Sequence, residues 1–280
     1  MNKEILIICR GGGDLATGIV HRLFRAGYQV LILETAEPAA IRRQVSFCEA
    51  VYEGTATVEG VTAERIYTAQ KQAVEEVLQR GRIPLLVDPD GRSIEVLKPD
   101  VVVDAIIAKK NLGTYKEMAP LVIGIGPGFV AGKDVHLVVE SMRGHNLARI
   151  LETGSALANT GIPGNIGGYT KERVIHAAAE GYMKNLHQIG DVVRKGEKIA
   201  RIYEQMSPEG VFSGRFVSVE ATIPGVLRGL IREGYHFQKG FKIADIDPRE
   251  SELANCFTIS DKASSIGGSV LEAVCRYVNG

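Results

Sequence analysis

A glycine-rich turn near the start of the sequence has the spacing of a dinucleotide-phosphate site. Gly11, Gly13 and Ala16 fit the pattern G-x-G-x-x-A within "CRGGGDLATG". In that pattern the first glycine allows a tight turn, the second lets the backbone approach a diphosphate, and the small third residue lets the helix meet the strand. Gly12 and Thr17 lie in the same stretch and are candidate contacts as well. The turn predicts a nucleotide-type site; the alternative is a glycine turn that holds no ligand.

Two acidic residues bear on this predicted site. Glu34 lies 21 positions after Gly13, at the end of "LILE", where a carboxylate could accept hydrogen bonds from ribose hydroxyls. Asp14 lies where phosphates would approach, and its negative charge opposes them. It could instead cap the following helix, or orient an amide or hydroxyl of the ligand. Both carboxylates are therefore candidate contacts of the cofactor.

Several basic residues could clamp an anion. Arg42 and Arg43, in "AAIRRQVSF", follow the second predicted strand and could bind phosphate; the alternative is one solvated arginine and one in a salt bridge. In "ESMRGHNLAR", Arg143 is a candidate anion clamp and His145 a candidate general base.

Two further stretches follow predicted strands. Asp104 and Lys109, in "VVVDAIIAKK", are candidate catalytic groups because ligands of open α/β sheets bind at the carboxyl ends of the strands. Simple solvent exposure is the alternative for the adjacent lysines. Gly126 and Gly128, in "GIGPG", could bring the backbone close to a ligand or form an ordinary turn.

The elements that must position these residues alternate between strand and helix over residues 1–160. Apolar runs predict strands at "EILIIC", "QVLILE", "IPLLVD", "VVVDAII", "LVIGIG" and "VHLVVE". Helical periodicity marks "DLATGIVHRLFRAG" and "AQKQAVEEVLQRG". Continuous Val, Ile and Leu runs are typical of parallel strands buried on both faces. The expected fold class is α/β, with a Rossmann-like doubly wound parallel sheet that binds a nucleotide.

A second, β-rich module is expected over residues 161–250. It follows the glycine-rich stretch at 153–168 and contains a repeat, because "GDVVRKGEKIARI" aligns with "GYHFQKGFKIADI". Paired hairpin units of this kind resemble the biotinyl/lipoyl carrier fold, a barrel-sandwich hybrid. The segment "YEQMSPEGVFSGRF" between the two units contains no lysine, so no biotin or lipoyl attachment is expected. Residues 251–280 are expected to form a C-terminal segment whose final helix is capped by Ser269.

Composition excludes several classes of protein. The 280 residues contain 33 basic and 33 acidic side chains, so charge gives no indication of a nucleic-acid partner or an anionic membrane. No apolar run is long enough to span a membrane. The four cysteines form no CxxC pair, which argues against a thiolate zinc site, and no protein-bound metal is expected. A cytoplasmic location is expected; the oligomeric state is open, a homo-oligomer included.

The ordered motifs "RGGGDLATGIVHRL", "IRRQVSF", "GPGF", "RGH", "DIDPR" and "SDKA…IGG" together resemble the YqeB family of selenium-dependent molybdenum hydroxylase accessory proteins. That family is allied to the XdhC/CoxF maturation factors. The resemblance runs from Arg10 to Gly268 and implies a role in maturing a molybdenum hydroxylase. It implies the hydroxylase apoenzyme as partner and a molybdopterin-type cofactor, or another nucleotide or pterin, as ligand.

Three functions follow from these observations. The first is an accessory protein that binds a nucleotide- or pterin-containing cofactor at the glycine turn and serves a molybdenum hydroxylase. The second is an NAD-dependent oxidoreductase, with acid–base chemistry from Asp104, Lys109 or His145. The third is a non-catalytic module that docks a partner.

Overall fold

The computed structural model describes residues 5–158, 161 and 164–280. The chain folds into two compact units. Unit 1 comprises Met1–Pro38, Val45–Thr160 and Ile259–Gly280, and unit 2 comprises Ala39–Gln44 and Gly161–Thr258. The domain boundary predicted at residue 160 falls outside the described residues, and the predicted boundaries stay predictions.

Among the described residues, unit 1 contains one sheet of nine strands. The strands are β1 (Leu6–Arg10), β2 (Gln29–Glu34), β3 (Thr55–Val58), β4 (Val61–Ile66), β5 (Ile83–Val87), β6 (Val101–Asp104), β7 (Leu121–Ile125), β8 (Leu137–Val139) and β9 (Ile150–Leu151). Their order across the sheet is β3-β4-β5-β2-β1-β6-β7-β8-β9. The chain leaves the centre in one direction after β1 and returns on its other side at β6. The carboxyl ends of β1 and β6 therefore flank the point where the strand order reverses.

Helices and apolar side chains cover both faces of this sheet. The helices of unit 1 are α1 (Asp14–Arg25), α2 (Ala50–Glu53), α3 (Lys71–Gln79), α4 (Ser93–Leu97) and α5 (Asp261–Asn279). Side chains of a strand alternate between faces. Ile7 and Cys9 accordingly join the core shared with α1 and α5, whereas Ile8 joins the core shared with α3 and α4. Continuous apolar runs such as "LIIC" are explained by this double burial.

The fold class predicted for unit 1 is wrong. The sheet is mixed, because β3 and β9 run antiparallel to their neighbours. Within the described residues no α-helix connects β6 to β7 or β7 to β8, although both pairs are parallel. A doubly wound Rossmann sheet would place a helix in such crossovers. The connection from β6 to β7 contains Gly113 and Pro120, which disfavour a helix.

In the described part of unit 2, eight strands form two four-stranded antiparallel sheets. They are β10 (Val174–His176), β11 (Gly181–Asn185), β12 (Val192–Val193), β13 (Lys198–Met206), β14 (Phe212–Glu220), β15 (Gly225–Leu230), β16 (His236–Phe237) and β17 (Lys242–Asp247). One sheet has the order β10-β17-β15-β12 and the other β14-β13-β11-β16. These two antiparallel sheets replace the predicted barrel-sandwich-hybrid module, which is a second error of the predicted fold class.

The sequence repeat corresponds to a repeated path through these two sheets. In each copy a two-residue strand, β12 or β16, is followed by a longer strand, β13 or β17, in the other sheet. The turn glycines Gly196 and Gly240 have φ angles of +82° and +87°. An L side chain rarely adopts this conformation, which is why both copies retain glycine there.

The final helix begins at Asp261, eight residues before Ser269. Its N-cap is Ser260, whose side chain accepts a hydrogen bond from the Ala263 N–H at 3.2 Å. Ser269 lies inside α5 and donates to the Ala148 carbonyl at 2.5 Å. The predicted cap is therefore wrong, because the turn "TISDKA" supplies the earlier capping serine. Among the described residues no helix is long and apolar enough to cross a membrane.

Candidate functional site

Packing explains two of the three glycines in the turn after β1. Gly11 has φ of +100°, and a Cβ there would lie 3.0 Å from the Ala105 carbonyl oxygen. A Cβ on Gly12 would lie 3.1 Å from the Cys48 nitrogen, whereas one on Gly13 would meet nothing within 4 Å. The first two glycines therefore let neighbouring backbone segments approach, with no ligand required. Only Gly13 faces open space.

Glu34 uses its carboxylate inside the protein. One oxygen accepts from the Gly12 N–H at 2.8 Å and the other from the Thr35 N–H at 2.7 Å. Burial raises the pKa of Glu34 above its usual 4.5, against the lowering effect of these hydrogen bonds. The carboxylate thus engages an amide that a diphosphate would have used. Because both oxygens of Glu34 accept hydrogen bonds within the protein, this geometry does not support the predicted contact with ribose.

The first turn of α1 is built mainly for packing. Ala16 and Thr17 are buried. The Thr17 hydroxyl donates to the Gly12 carbonyl at 3.2 Å and accepts from the Phe47 N–H at 2.9 Å. Asp14 is the first residue of α1, and Gly13 is the N-cap, with no side-chain capping bond. Asp14 therefore does not occupy the N-cap position that the predicted capping role requires.

Asp104 anchors a buried polar network. Its Oδ2 accepts from the Thr114 hydroxyl at 2.6 Å and lies 3.7 Å from Arg10 Nη1, and that guanidinium also donates to Thr114 Oγ1. Its Oδ1 accepts from the Ile106 N–H at 3.1 Å. Burial raises the pKa of Asp104, while Thr114, Ile106 and Arg10 lower it. The network fastens the loop after β6 to the end of β1.

The other two candidate catalytic residues lie apart from this network. Lys109 and His145 are both exposed. Among the described residues no hydrogen bond or ion pair links either side chain to Asp104. Lys109 and Ile107 have φ of +62° and +59°, an uncommon conformation for residues other than glycine, and a genuine outlier for a β-branched one. The loop is held in a special shape, but the three predicted catalytic residues do not form a triad.

The glycines after β7 are explained by close contacts. A Cβ on Gly126 would collide with the Ser141 hydroxyl, and one on Gly128 would lie 2.8 Å from the Lys110 nitrogen. The turn thus packs against two neighbouring loops at the carboxyl edge of the sheet.

Arg42 and Arg43 belong to unit 2. Arg42 donates to the carbonyls of Asn255 and Thr258 at 2.9 and 3.1 Å, and Arg43 donates to the Leu230 carbonyl at 2.8 Å. Both guanidinium groups therefore tie backbone segments of unit 2 together, which neither the phosphate-binding interpretation nor its alternative anticipated.

Arg143 forms a bidentate ion pair with Asp261. Its two terminal nitrogens lie 2.6 and 2.8 Å from the two carboxylate oxygens. The Asp261 hydrogen bonds are the main cause of a raised Arg143 pKa. The guanidinium predicted to clamp a ligand is therefore already paired with an internal carboxylate.

The structure reveals a lysine that the sequence analysis missed. Lys262 is half-buried at the start of α5, and among the described residues its amine has no hydrogen bond or ion pair. Burial is the main cause of its lowered pKa, and the charge of Arg143 adds to it. Asp14, Glu140 and Asp261 act in the opposite direction. We call these five residues the Lys262 cluster.

Two acidic members of the Lys262 cluster, Glu140 and Asp261, have other partners. Glu140 is buried and accepts from the N–H groups of Met142 and Leu157, both at 2.7 Å. Asp261 pairs with Arg143. The motif "SDKA" had signalled this segment only as part of a family resemblance. Folding alone brings it to Asp14, which is more than 240 positions away.

The cysteines and metal-ligating residues show no reactive arrangement. Cys9, Cys48 and Cys256 are buried and Cys275 half-buried, all as free thiols. Burial raises the pKa values of Cys9 and Cys48, which disfavours their thiolates. No group of three or more His, Cys, Asp or Glu side chains in the described ranges is placed to hold a metal ion.

Comparison with known proteins gives a strong match in sequence. The chain is 47% identical over 274 residues to the "Uncharacterized protein YqeB" of Escherichia coli (strain K12), covering 98% of this chain and 48% of that protein. The YqeB resemblance is confirmed. No family model matches the chain, and the link to selenium-dependent molybdenum hydroxylases is not supported. The chain spans about half the length of the curated relative that it matches.

Solved structures give a weaker match. A product-bound ectoine utilization protein EutE (DoeB) from Ruegeria pomeroyi aligns with a TM-score of 0.28 at 10% identity, over 86% of this chain and 84% of its own. A succinylglutamate desuccinylase from Silicibacter sp. TM1040 aligns at 0.26 and 12% identity, over 88% and 85%. An aspartoacylase family protein from Mesorhizobium loti aligns at 0.28 and 10%, over 87% and 85%. TM-scores this low carry no argument about activity.

Two of the functions predicted from sequence are wrong. They are the accessory protein of a molybdenum hydroxylase and the NAD-dependent oxidoreductase, both of which place a nucleotide or pterin cofactor at the glycine turn. The geometry agrees with this correction, because Glu34 takes the Gly12 amide and the predicted catalytic residues are apart. The cytoplasmic location, the partners and the cofactor, NAD or a molybdopterin-type nucleotide, stay predictions.

Proposed function

We propose that unit 1 binds a small anionic molecule at the carboxyl edge of its sheet, with Lys262 as the residue that pairs with the anionic group. One observation carries the proposal. Lys262 keeps a half-buried amine that has no hydrogen-bond or ion-pair partner among the described residues, although carboxylates lie nearby. Removing a charge from water without pairing it costs free energy, so such a group is commonly retained for a ligand.

The surroundings of Lys262 favour an anion. Arg143 is occupied by Asp261, which leaves Lys262 as the cation of the cluster that is available to a ligand. Asp14, which is close enough to affect the Lys262 pKa, begins α1. The first N–H groups of a helix and its macrodipole attract negative charge. Gly13, the N-cap, leaves open space beside these groups.

The position in the sheet supports the same proposal. The turn that leads into α1 follows β1, at the point where the strand order reverses between β1 and β6. Open α/β sheets bind their ligands outside the carboxyl ends of the strands at such points. The Arg10–Asp104–Thr114 network holds the neighbouring loop in place, so this edge is shaped before a ligand arrives.

Calorimetric titration with a panel of small oxyanions tests the proposal. The panel contains inorganic phosphate, sulfate, acetate, malonate and citrate, each measured against chloride at matched ionic strength. We expect at least one oxyanion to bind the unmodified protein and to lose about tenfold or more in affinity in Lys262→Met. Lys133→Met, which removes an exposed lysine of unit 1, is the matched control and should bind normally. Equal binding by both variants would overturn the proposal.

A further inference from the structure

A second cationic feature lies on another part of unit 1. A cavity of about 270 Å³ opens between α1, the start of α5 and the turn that joins β3 to β4. His21, Arg22 and Arg25 of α1 contribute to its lining, together with Glu59 of the turn. Arg25 lies four positions after His21 and three after Arg22, and both spacings place side chains on one side of a helix, so the three basic groups line the same space. We call it the α1–α5 cavity.

Close contact between the two helices fixes two walls of the α1–α5 cavity. A Cβ on Gly18 would lie 2.7 Å from the Ala263 Cβ, and one on Gly267 would lie 2.7 Å from the Gly18 carbonyl oxygen. The helices therefore cross almost backbone to backbone. Arg22 donates to the Ser264 hydroxyl at 2.6 Å, which fixes its guanidinium beside α5.

The third wall is held by Glu59. Its carboxylate accepts from the Ile259 N–H at 2.8 Å, and its carbonyl oxygen lies 3.4 Å from His21 Nε2. Glu59 has φ of +44°, an uncommon backbone conformation for this residue. The turn is thus bound at two points to the other walls, and the cavity is part of the folded architecture.

In the part of the chain that the structure describes, the basic groups of the cavity lack carboxylate partners. Arg22 donates to a neutral hydroxyl, and Arg25 has no hydrogen bond or ion pair among the described residues. One carboxylate oxygen of Glu59 accepts a hydrogen bond from a backbone N–H. Two guanidinium groups therefore face a small concave space beside the His21 imidazole, and their charge is only partly offset by Glu59. Planar guanidinium groups match the paired oxygens of phosphate.

We propose that the α1–α5 cavity binds the phosphoryl group of a small phosphate-bearing molecule, with Arg22 and Arg25 as its principal donors. Arg22 is oriented by Ser264 and donates from one side, and Arg25 donates from the next turn of α1. The volume is at the small end for a ligand pocket, which favours a compact phosphomonoester over a dinucleotide. The proposal does not depend on Lys262, whose side chain is not part of this lining.

Calorimetric titration with inorganic phosphate and with glycerol 3-phosphate tests this site, with sodium chloride at matched ionic strength as reference. Arg25→Gln and the double variant Arg22→Gln/Arg25→Gln remove the donors. Arg92→Gln, an exposed arginine elsewhere in unit 1, is the matched control. We expect affinity to fall about tenfold in Arg25→Gln and further in the double variant, while Arg92→Gln and Lys262→Met bind like the unmodified protein. Thermal melts identify variants that do not fold, and Arg25→Lys, which keeps the charge, should then retain part of the affinity.

Three results would overturn the proposal. Phosphate that binds no better than chloride would show only general ionic attraction. Binding that survives in a folded Arg25→Gln variant would place the phosphate elsewhere. Binding lost in Lys262→Met but kept in Arg25→Gln would support the Lys262 site and refute this one. Conversely, loss in Arg25→Gln alone would support this cavity even if the Lys262 proposal failed.

Discussion

Two charged groups in unit 1 differ in how their charge is balanced. Arg10 and Asp104 are both buried, and each reaches the Thr114 hydroxyl, so nearly every polar atom of this group has a partner. Lys262 is half-buried and has no ion-pair or hydrogen-bond partner among the described residues. The first arrangement is self-sufficient and stabilises the loop after β6. The charge of Lys262, by contrast, would be balanced by the external anion that we propose.

This difference shows why a charged residue near a glycine turn need not contact a ligand. Desolvation raises the pKa of Asp104 and lowers that of Lys262, so both side chains have shifted pKa values. The two residues differ in their contacts, because Asp104 has hydrogen-bond partners and Lys262 has none among the described residues. The following variants test the comparison, from the largest expected effect to the smallest.

Asp104→Ala should cause the largest loss of stability. It leaves the buried Arg10 guanidinium without its counter-charge and the Thr114 hydroxyl proton without an acceptor, and breaking a buried pair in this way costs about 3–5 kcal/mol. Urea unfolding measures the free energy. Asp90→Ala, at an exposed ion pair, is the control and should change it by less than about 1 kcal/mol. A loss of similar size in both variants would show that the Asp104 network is not the anchor described above.

Gly18→Ala should destabilise unit 1 by about 1–3 kcal/mol, because the added methyl group would lie 2.7 Å from Ala263 and force α1 and α5 apart. This contact positions the start of α5, and therefore Lys262. Gly13→Ala is the control, since its methyl group meets nothing within 4 Å and its φ of −72° suits alanine. Thermal unfolding of the two variants compares them. Equal melting temperatures would contradict the close helix crossing.

Glu34→Gln should change how stability depends on pH. The pKa of Glu34 is raised in the folded state, so the folded protein holds this proton more tightly than the unfolded chain. Its contribution is therefore fully present below the ordinary value of 4.5 and is lost as pH rises through the folded pKa. Unfolding measured on both sides of that window should show a less steep decline in the variant. An identical pH dependence would argue that Glu34 is solvated.

Lys262→Met should have the smallest effect on stability, within about 1 kcal/mol of the unmodified protein, because it removes an unpaired charge and keeps an apolar stem. The lowered pKa sets the sign of its pH dependence. Between the folded pKa and the ordinary value of 10.5 the unfolded chain binds more protons, so the unmodified protein gains stability relative to the variant as pH rises. Urea unfolding at several alkaline pH values measures this difference. A large loss at neutral pH would reveal a structural partner of Lys262.

The sequence predicted local elements better than their assembly. The predicted apolar runs all form strands, namely β1, β2, β5, β6, β7 and β8. Consecutive Val, Ile and Leu residues indicate a strand that is buried on both faces. Strand direction is not encoded in such runs, so the mixed sheet was missed. The turn glycines indicated close approach correctly, but Gly11 and Gly12 approach protein backbone where the sequence suggested a diphosphate.

The residue at the centre of the proposed site could not be found from local pattern. Lys262 lies in an ordinary-looking helix start, and its significance depends on Glu140 and Asp14, which come from distant parts of the sequence. Asp104 was recognised by its place at the carboxyl end of a strand, where β6 does end, but its partners Arg10 and Thr114 make it structural. The spacing of residues in the sequence indicates which of them lie at the edge of the sheet. The contacts in the folded structure determine which of those groups has no partner.

Competitive acetylation of lysines, followed by mass spectrometry of the Lys262 peptide, tests the central claim most directly. The pH dependence of labelling gives the pKa of the Lys262 amine, with exposed Lys133 as internal reference. We expect the Lys262 pKa to be lower than the ordinary lysine value of 10.5 and to rise when a bound oxyanion pairs with the amine. A Lys262 pKa at the ordinary value of 10.5, unchanged by every oxyanion of the panel, would contradict the account.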